Sequence, residues 1–155
     1  MNFHKNFDDA VRHLQIADHM AYVTFPLINE KRLMIKIFDE TYKSVINSMN
    51  AILKYEIGRS NVKFNEFSKI ARKYGLFDEQ IKKLRDIIVI QKKRKESSME
   101  FIKKDKLVIM SDNLSIEVLD LVIIKKYILV AKELLVKTKD NILCFVSLLN
   151  VSSCK

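Results

Sequence analysis

The sequence predicts a mainly α-helical fold, an up-and-down bundle of about five helices with a small β-hairpin near residues 99–111. Three observations predict it. Two Gly and one Pro in 155 residues supply too few turn formers for an all-β chain. From Glu30 to Glu56, Ile35, Phe38, Tyr42, Val45, Met49 and Ile52 recur in steps of three and four, which places them on one stripe of a helix. Between Met99 and Ser111 the period changes to two short apolar runs around Lys103-Lys104-Asp105-Lys106, the pattern of two strands joined by a turn.

The elements follow in order. Phe7 to Tyr22 reads as a first helix with Asn6 as N-cap, Asp8 and Asp9 at its positive end, and Ala10, Ala17 and Ala21 small enough for close approach of a neighbour. Thr24-Phe25-Pro26 is expected to end it, because the residue before a proline is pushed out of the helical region. The spine helix follows, with Ile46 and Leu53 widening its buried stripe. Lys31, Lys36, Glu40, Lys43, Asn47, Asn50 and Lys54 are expected to face water. Gly58 stands where a left-handed cap would close that helix. A short helix from Phe64 to Tyr74 ends at Gly75, and another begins near Asp78 and stops in Lys92-Lys93-Arg94-Lys95. After the hairpin, Ser111-Asp112-Asn113 is a turn. The last long helix starts near Asp120 and passes Val136, with Leu121, Ile124, Ile128, Ala131 and Leu135 inward and Val122, Leu129 and Leu134 broadening the face.

A length of 155 residues fits one domain over 1–155, with residues 141–155 either extending the last helix or forming a partner-contacting tail. An apolar fraction of 48% and a charged fraction of 30% are those of an ordinary globular protein. Cys144 and Cys154 form no CxxC pair and read as reduced thiols. Met1 to Asp9 has no apolar leader, and Lys125, Lys126, Lys132, Lys137, Lys139 and Asp140 break the apolar stretch from Leu119 to Val151, so a cytoplasmic protein without a membrane partner is expected.

Chemistry is sparse. No HExxH or CxxC spacing supports a metal site, and Gly58 and Gly75 cannot build a phosphate loop, so neither metal nor cofactor is expected. Arg12 and His19 lie seven apart in the first helix and project from nearly one face. A histidine beside an arginine can act on an RNA 2′-hydroxyl while the guanidinium steadies phosphate charge. Chance spacing on a solvated helix gives the same pair. Charge offers a second candidate. Lys plus Arg exceed Asp plus Glu by nine, and ten basic against four acidic residues fall between Lys82 and Lys106. Lys82, Arg85, Lys92, Lys93, Arg94, Lys95, Lys103, Lys104 and Lys106 would make one positive surface for RNA, nucleotide or another polyanion. The bland account is a solvated face and a basic helix end that complements the dipole.

The strings RKESSMEF (94–101), KDKLVIMSD (104–112) and KKYILVAKELL (125–135), following four helices, resemble the HEPN superfamily (higher eukaryote and prokaryote nucleotide-binding), in particular its small archaeal-type members. The likeness spans about Phe7 to Val136 and is most specific over Arg94 to Asp112. It implies a helical bundle, frequently a homodimer, in which many members cut RNA. The catalytic members carry an arginine, a polar residue and then a histidine four to six residues on, in a late helix. Here the one string of that form is Arg12-His13 through His19, in the first helix, and the late helices hold no histidine. The chain therefore resembles the non-catalytic members, which bind RNA or nucleotide or act as assembly modules. Three readings stand at this point: a non-catalytic, self-associating polyanion-binding module, a metal-independent ribonuclease using Arg12 and His19, and a structural module whose apolar C-terminal face takes a protein partner.

Overall fold

Helix α1 (Phe3–His19) forms on the face that Ala10, Leu14 and Ala17 present inward, and all three are buried. It starts earlier than expected. Asn6 is no cap but lies inside the helix, where its side-chain amide donates to Asn47 Oδ1 (3.0 Å) and its own oxygen accepts from Lys54 Nζ (2.7 Å). The computed structural model describes residues 3–60 and 63–144. The sequence expectations placed on residues 145–155, Cys154 among them, lie outside the described residues.

Pro26 does not end the helical path. Proline lacks an N–H, and its ring crowds the carbonyl four residues back. The chain accommodates both defects by widening to a π turn over Met20–Thr24, in which the Phe25 N–H donates to the Met20 carbonyl. One further turn, α2 (Phe25–Ile28), ends at Asn29 in the left-handed conformation (φ 54°).

The spine helix α3 (Leu33–Ile57) is unbroken, and Gly58 caps it at φ 71° with its N–H on the Lys54 carbonyl (3.1 Å). Its buried surface is wider than the expected stripe. Phe38, Val45, Met49, Ile52 and Leu53 are buried, but so are Met34, Ile37, Thr41, Ser44, Ser48 and Ala51 on the side facing α1. These small side chains meet the alanines of α1, which lets the two helices approach closely. The hydroxyls are mostly satisfied: Thr41 donates to the Ile37 carbonyl and Ser44 to the Ala10 carbonyl, each at 2.8 Å. Ser48 Oγ is the exception among the described residues, buried without a hydrogen-bond partner. Because an unmade buried hydrogen bond is destabilising, Ser48→Ala is expected to raise stability by about 1 kcal/mol, read as an upward shift of Tm. A lowered Tm would mean that the hydroxyl is satisfied in solution.

Helices α4 (Phe64–Lys73) and α5 (Asp78–Lys95) follow as expected, with Gly75 at φ 88° between them. Helix α6 (Leu121–Thr138) is capped by Asp120, whose carboxylate accepts from the Ile123 N–H (2.8 Å). It continues into a second π turn, Lys139–Leu143. Cross-pairs fix the directions. Asn6–Asn47 and His13–Glu40 make α1 antiparallel to α3. Arg94–Asp39 at one end and Tyr74–Glu56 at the other place α5 antiparallel to α3. Phe38 against Tyr127 and Gln80 against Glu133 return α6 antiparallel to α5, so the bundle runs up and down. No helix among the described residues is long and apolar enough to cross a membrane.

The expected hairpin is two-thirds of what forms. β1 (Ser97–Lys103) and β2 (Lys106–Ser111) pair around Lys104 and Asp105, both at positive φ as a tight type I′ connection requires. A third strand, β3 (Ile116–Leu119), pairs with β2 and makes a three-stranded antiparallel sheet. The alternation of Ile116, Glu117, Val118 and Leu119 is a strand signal that the nearby helix start obscures. Leu107, Ile109 and Leu119 point into the core.

Candidate functional site

The nine expected basic residues do not form one surface. Lys82 and Lys95 are thirteen residues apart on α5, roughly 20 Å along the axis at 1.5 Å per residue. Arg85 lies over the Phe64 ring at 5.2 Å and Lys95 over the Tyr42 ring at 5.9 Å, and both remain exposed. Lys82, Lys92, Lys103, Lys104 and Lys106 are exposed.

Two of the nine hold the sheet in place. Arg94 is only 11% exposed. Its Nη1 donates to Asp39 Oδ1 on α3 (2.6 Å) and to Gln91 Oε1 (3.0 Å). Its Nε and Nη2 grip both oxygens of Glu100 on β1 (2.6 and 3.1 Å), and the guanidinium lies 5.7 Å from the Phe38 ring. Burial works against the Arg94 charge, but the hydrogen bonds it donates to Glu100 and Asp39 outweigh it and raise its pKa. Lys93 binds Glu117 on β3. Glu100 and Glu117 both sit opposite Ile109 of the central strand, so the sheet presents two carboxylates to the end of α5. The basic helix end faces its own sheet, and these two cations are unavailable to an outside anion.

The lysines of the hairpin turn have other company. Asp105 in the turn pairs with Lys31 just before α3 (3.0 Å), which draws Lys103, Lys104 and Lys106 beside Lys31 and Arg32. Between the start of α3 and β1 lies a cavity of about 450 Å³, lined by Glu30, Lys31, Arg32, Ile35, Glu100, Phe101 and Ile102. Phe101 is half-buried, so one aromatic ring borders this group of cations. Five cations and three carboxylates, Glu30, Glu100 and Asp105, gather here next to the positive end of a 25-residue helix. Lys31 and Arg32 were missed in the sequence because they stand more than 70 residues from the hairpin.

Arg12 and His19 do share a site. Both line a shallow cavity of about 390 Å³ on the outer side of α1, with Gln15, Ile16 and Met20. Each already has a partner: Arg12 binds Asp9 (3.0 Å), and His19 Nδ1 lies 3.4 Å from Thr24 Oγ1. The histidine with the more constrained surroundings is His13. Its Nδ1 is 2.5 Å from Glu40 Oε2, and the other oxygen of Glu40 takes Lys36 (2.9 Å) and Lys43 (3.3 Å). Glu40, expected to face water, is 3% exposed. Burial pushes its pKa up, yet the bonds from Lys36, His13 and Lys43 prevail and hold it down at about 2. The carboxylate can be buried because it is fully surrounded by donors.

The C-terminal apolar face is divided. Leu134 is buried, while Val122, Leu129 and Val136 form an exposed row along α6. Tyr22 lies beneath Lys125 (4.6 Å) and Lys132 (5.7 Å) beside it. Comparison with protein-family models, with curated proteins and with solved structures gives no match to this chain.

Proposed function

We propose that the chain is a non-catalytic helical-bundle module that binds RNA or a similar polyanion, through the cations gathered at the hairpin turn and the start of α3. The observation that carries this reading is the Lys31–Asp105 bond, which joins two distant basic segments into one surface. Lys31, Arg32, Lys103, Lys104 and Lys106 would neutralise phosphates, and Phe101 offers a ring on which a base could stack. The HEPN-like resemblance, with no histidine in a late helix, supports binding over cleavage. Fluorescence anisotropy with a labelled single-stranded RNA tests it. Lys103→Glu with Lys104→Glu is expected to weaken binding tenfold or more and to flatten the salt dependence by about 0.7 per lost phosphate contact. Lys82→Glu with Arg85→Glu, at the far end of α5, is expected to leave binding within about twofold, since distant charges are screened. Equal losses from both pairs, or no binding at low salt, would reject the proposed surface.

A ribonuclease reading keeps one observation in its favour, the cavity that Arg12 and His19 share. Under that reading His19→Ala abolishes cleavage of the same RNA. An unchanged cleavage rate removes it.

A further inference from the structure

An antiparallel sheet lying on a core ordinarily turns apolar side chains inward and polar ones outward. This sheet is apolar on both sides. The inward set is Ile102, Leu107, Ile109 and Leu119, with Glu100 and Glu117 held by α5. The outward set is Met99 and Phe101 on β1, Val108 and Met110 on β2, and Ile116 and Val118 on β3. The register places them directly across from one another: Met99 opposite Met110 opposite Ile116, and Phe101 opposite Val108 opposite Val118. Six adjoining apolar side chains with no charge among them form a contiguous patch, with Met99, Ile116 and Val118 at 54%, 56% and 42% exposure. Patches of this kind mark binding surfaces.

The ends of the sheet say what fits it. One end rung is Lys103 opposite Lys106. The other is Ser97 opposite Ser111, flanked in sequence by Glu96 and Asp112, both exposed. The two rungs are six residues apart, roughly 20 Å along a strand. A copy of the same sheet, turned end for end about a two-fold axis lying across the strands, lays apolar on apolar. It also sets each pair of lysines over the carboxylates of its mate. Stacking in the same direction would put lysine on lysine. We propose that this outer face is the site of a two-fold homodimer, the two sheets packed face to face with their charges crossed. The interface is isologous, so it closes at two copies. This gives self-association, expected of the sequence without an assigned surface, a place on the sheet. It shares Phe101, Lys103 and Lys106 with the polyanion reading, while Lys31, Arg32 and Lys104 lie outside the packed face.

Sedimentation equilibrium on the full chain tests it. The wild type is expected at twice its 18.2 kDa mass. Met99→Lys with Val118→Lys, on exposed edge-strand positions, is expected to sediment as a monomer with an unchanged melting temperature. Lys103→Glu with Lys106→Glu is expected to weaken the dimer at least tenfold. Adding Glu96→Lys and Asp112→Lys to that chain is expected to restore it, because the crossed charges then match again. A monomeric wild type, a dimer indifferent to Met99→Lys with Val118→Lys, or a failure of the fourfold charge swap to restore association would overturn the proposal. So would Met110→Ala with Val118→Ala lowering RNA affinity with the mass unchanged, which would assign the face to nucleic acid. Lys31→Glu with Arg32→Glu separates the two readings, since it is expected to weaken RNA binding and leave the mass alone.

Discussion

Arg94→Ala is expected to lose on the order of 3 kcal/mol of stability, the magnitude for removing one partner from a buried charge cluster. The reason lies in what remains. Asp39 and Glu100 are 31% and 23% exposed, and without the guanidinium they face each other as two partly desolvated negative charges. The same side chain ties α3 to β1, so its loss also loosens the sheet from the bundle. Arg94→Lys is expected to recover less than half of the deficit, because an ammonium cannot grip both Glu100 oxygens while reaching Asp39. Urea unfolding followed by far-UV circular dichroism measures both changes. If Arg94→Ala unfolded within about 0.5 kcal/mol of the wild type, as surface substitutions do, the cluster would be solvated and Arg94 would return to the list of free cations.

That side chain also marks where sequence reasoning stops. The run Lys92-Lys93-Arg94-Lys95 reads as charge density, and local spacing cannot tell which of its members the fold will enclose. The deciding partners are Asp39, 55 residues away, and Glu117, 24 residues from Lys93. The spine helix was legible because its period is local and no Gly or Pro interrupts it. Its buried polar side was not, since Thr41, Ser44 and Ser48 become interior only when the alanines of α1 lie against them. Pro26 misled for a related reason: the rule that it ends a helix holds for the α spacing, and the chain changed spacing to a π turn. Arg12 and His19 were placed correctly on one face because both stand on the same helix. The cation surface proposed at Lys31 and Lys104 rests on a tertiary contact, Lys31 to Asp105, that local spacing does not reveal.

Glu40→Gln is the second large effect, and pH separates its causes. In the wild type the carboxylate is held at about 2, against an ordinary value of 4.5. A depressed carboxylate stabilises the fold fully at pH values above the unfolded-state value, and the contribution disappears as pH falls through the folded-state value. The shift corresponds to about 3 kcal/mol, and exposure of Lys36 and Lys43 to solvent reduces the expected loss to roughly 2 kcal/mol at neutral pH. The glutamine is nearly the same size, so packing is preserved while the charge facing His13, Lys36 and Lys43 is removed. Measured against the wild type by urea unfolding, Glu40→Gln is therefore expected to be less stable at pH 7. The difference should shrink steadily from pH 4.5 towards pH 2 as protonation turns the wild type into the equivalent of its variant. A difference that stayed constant across that interval would mean that Glu40 contributes through shape alone, and that the three donors around it are incidental to the α1–α3 contact.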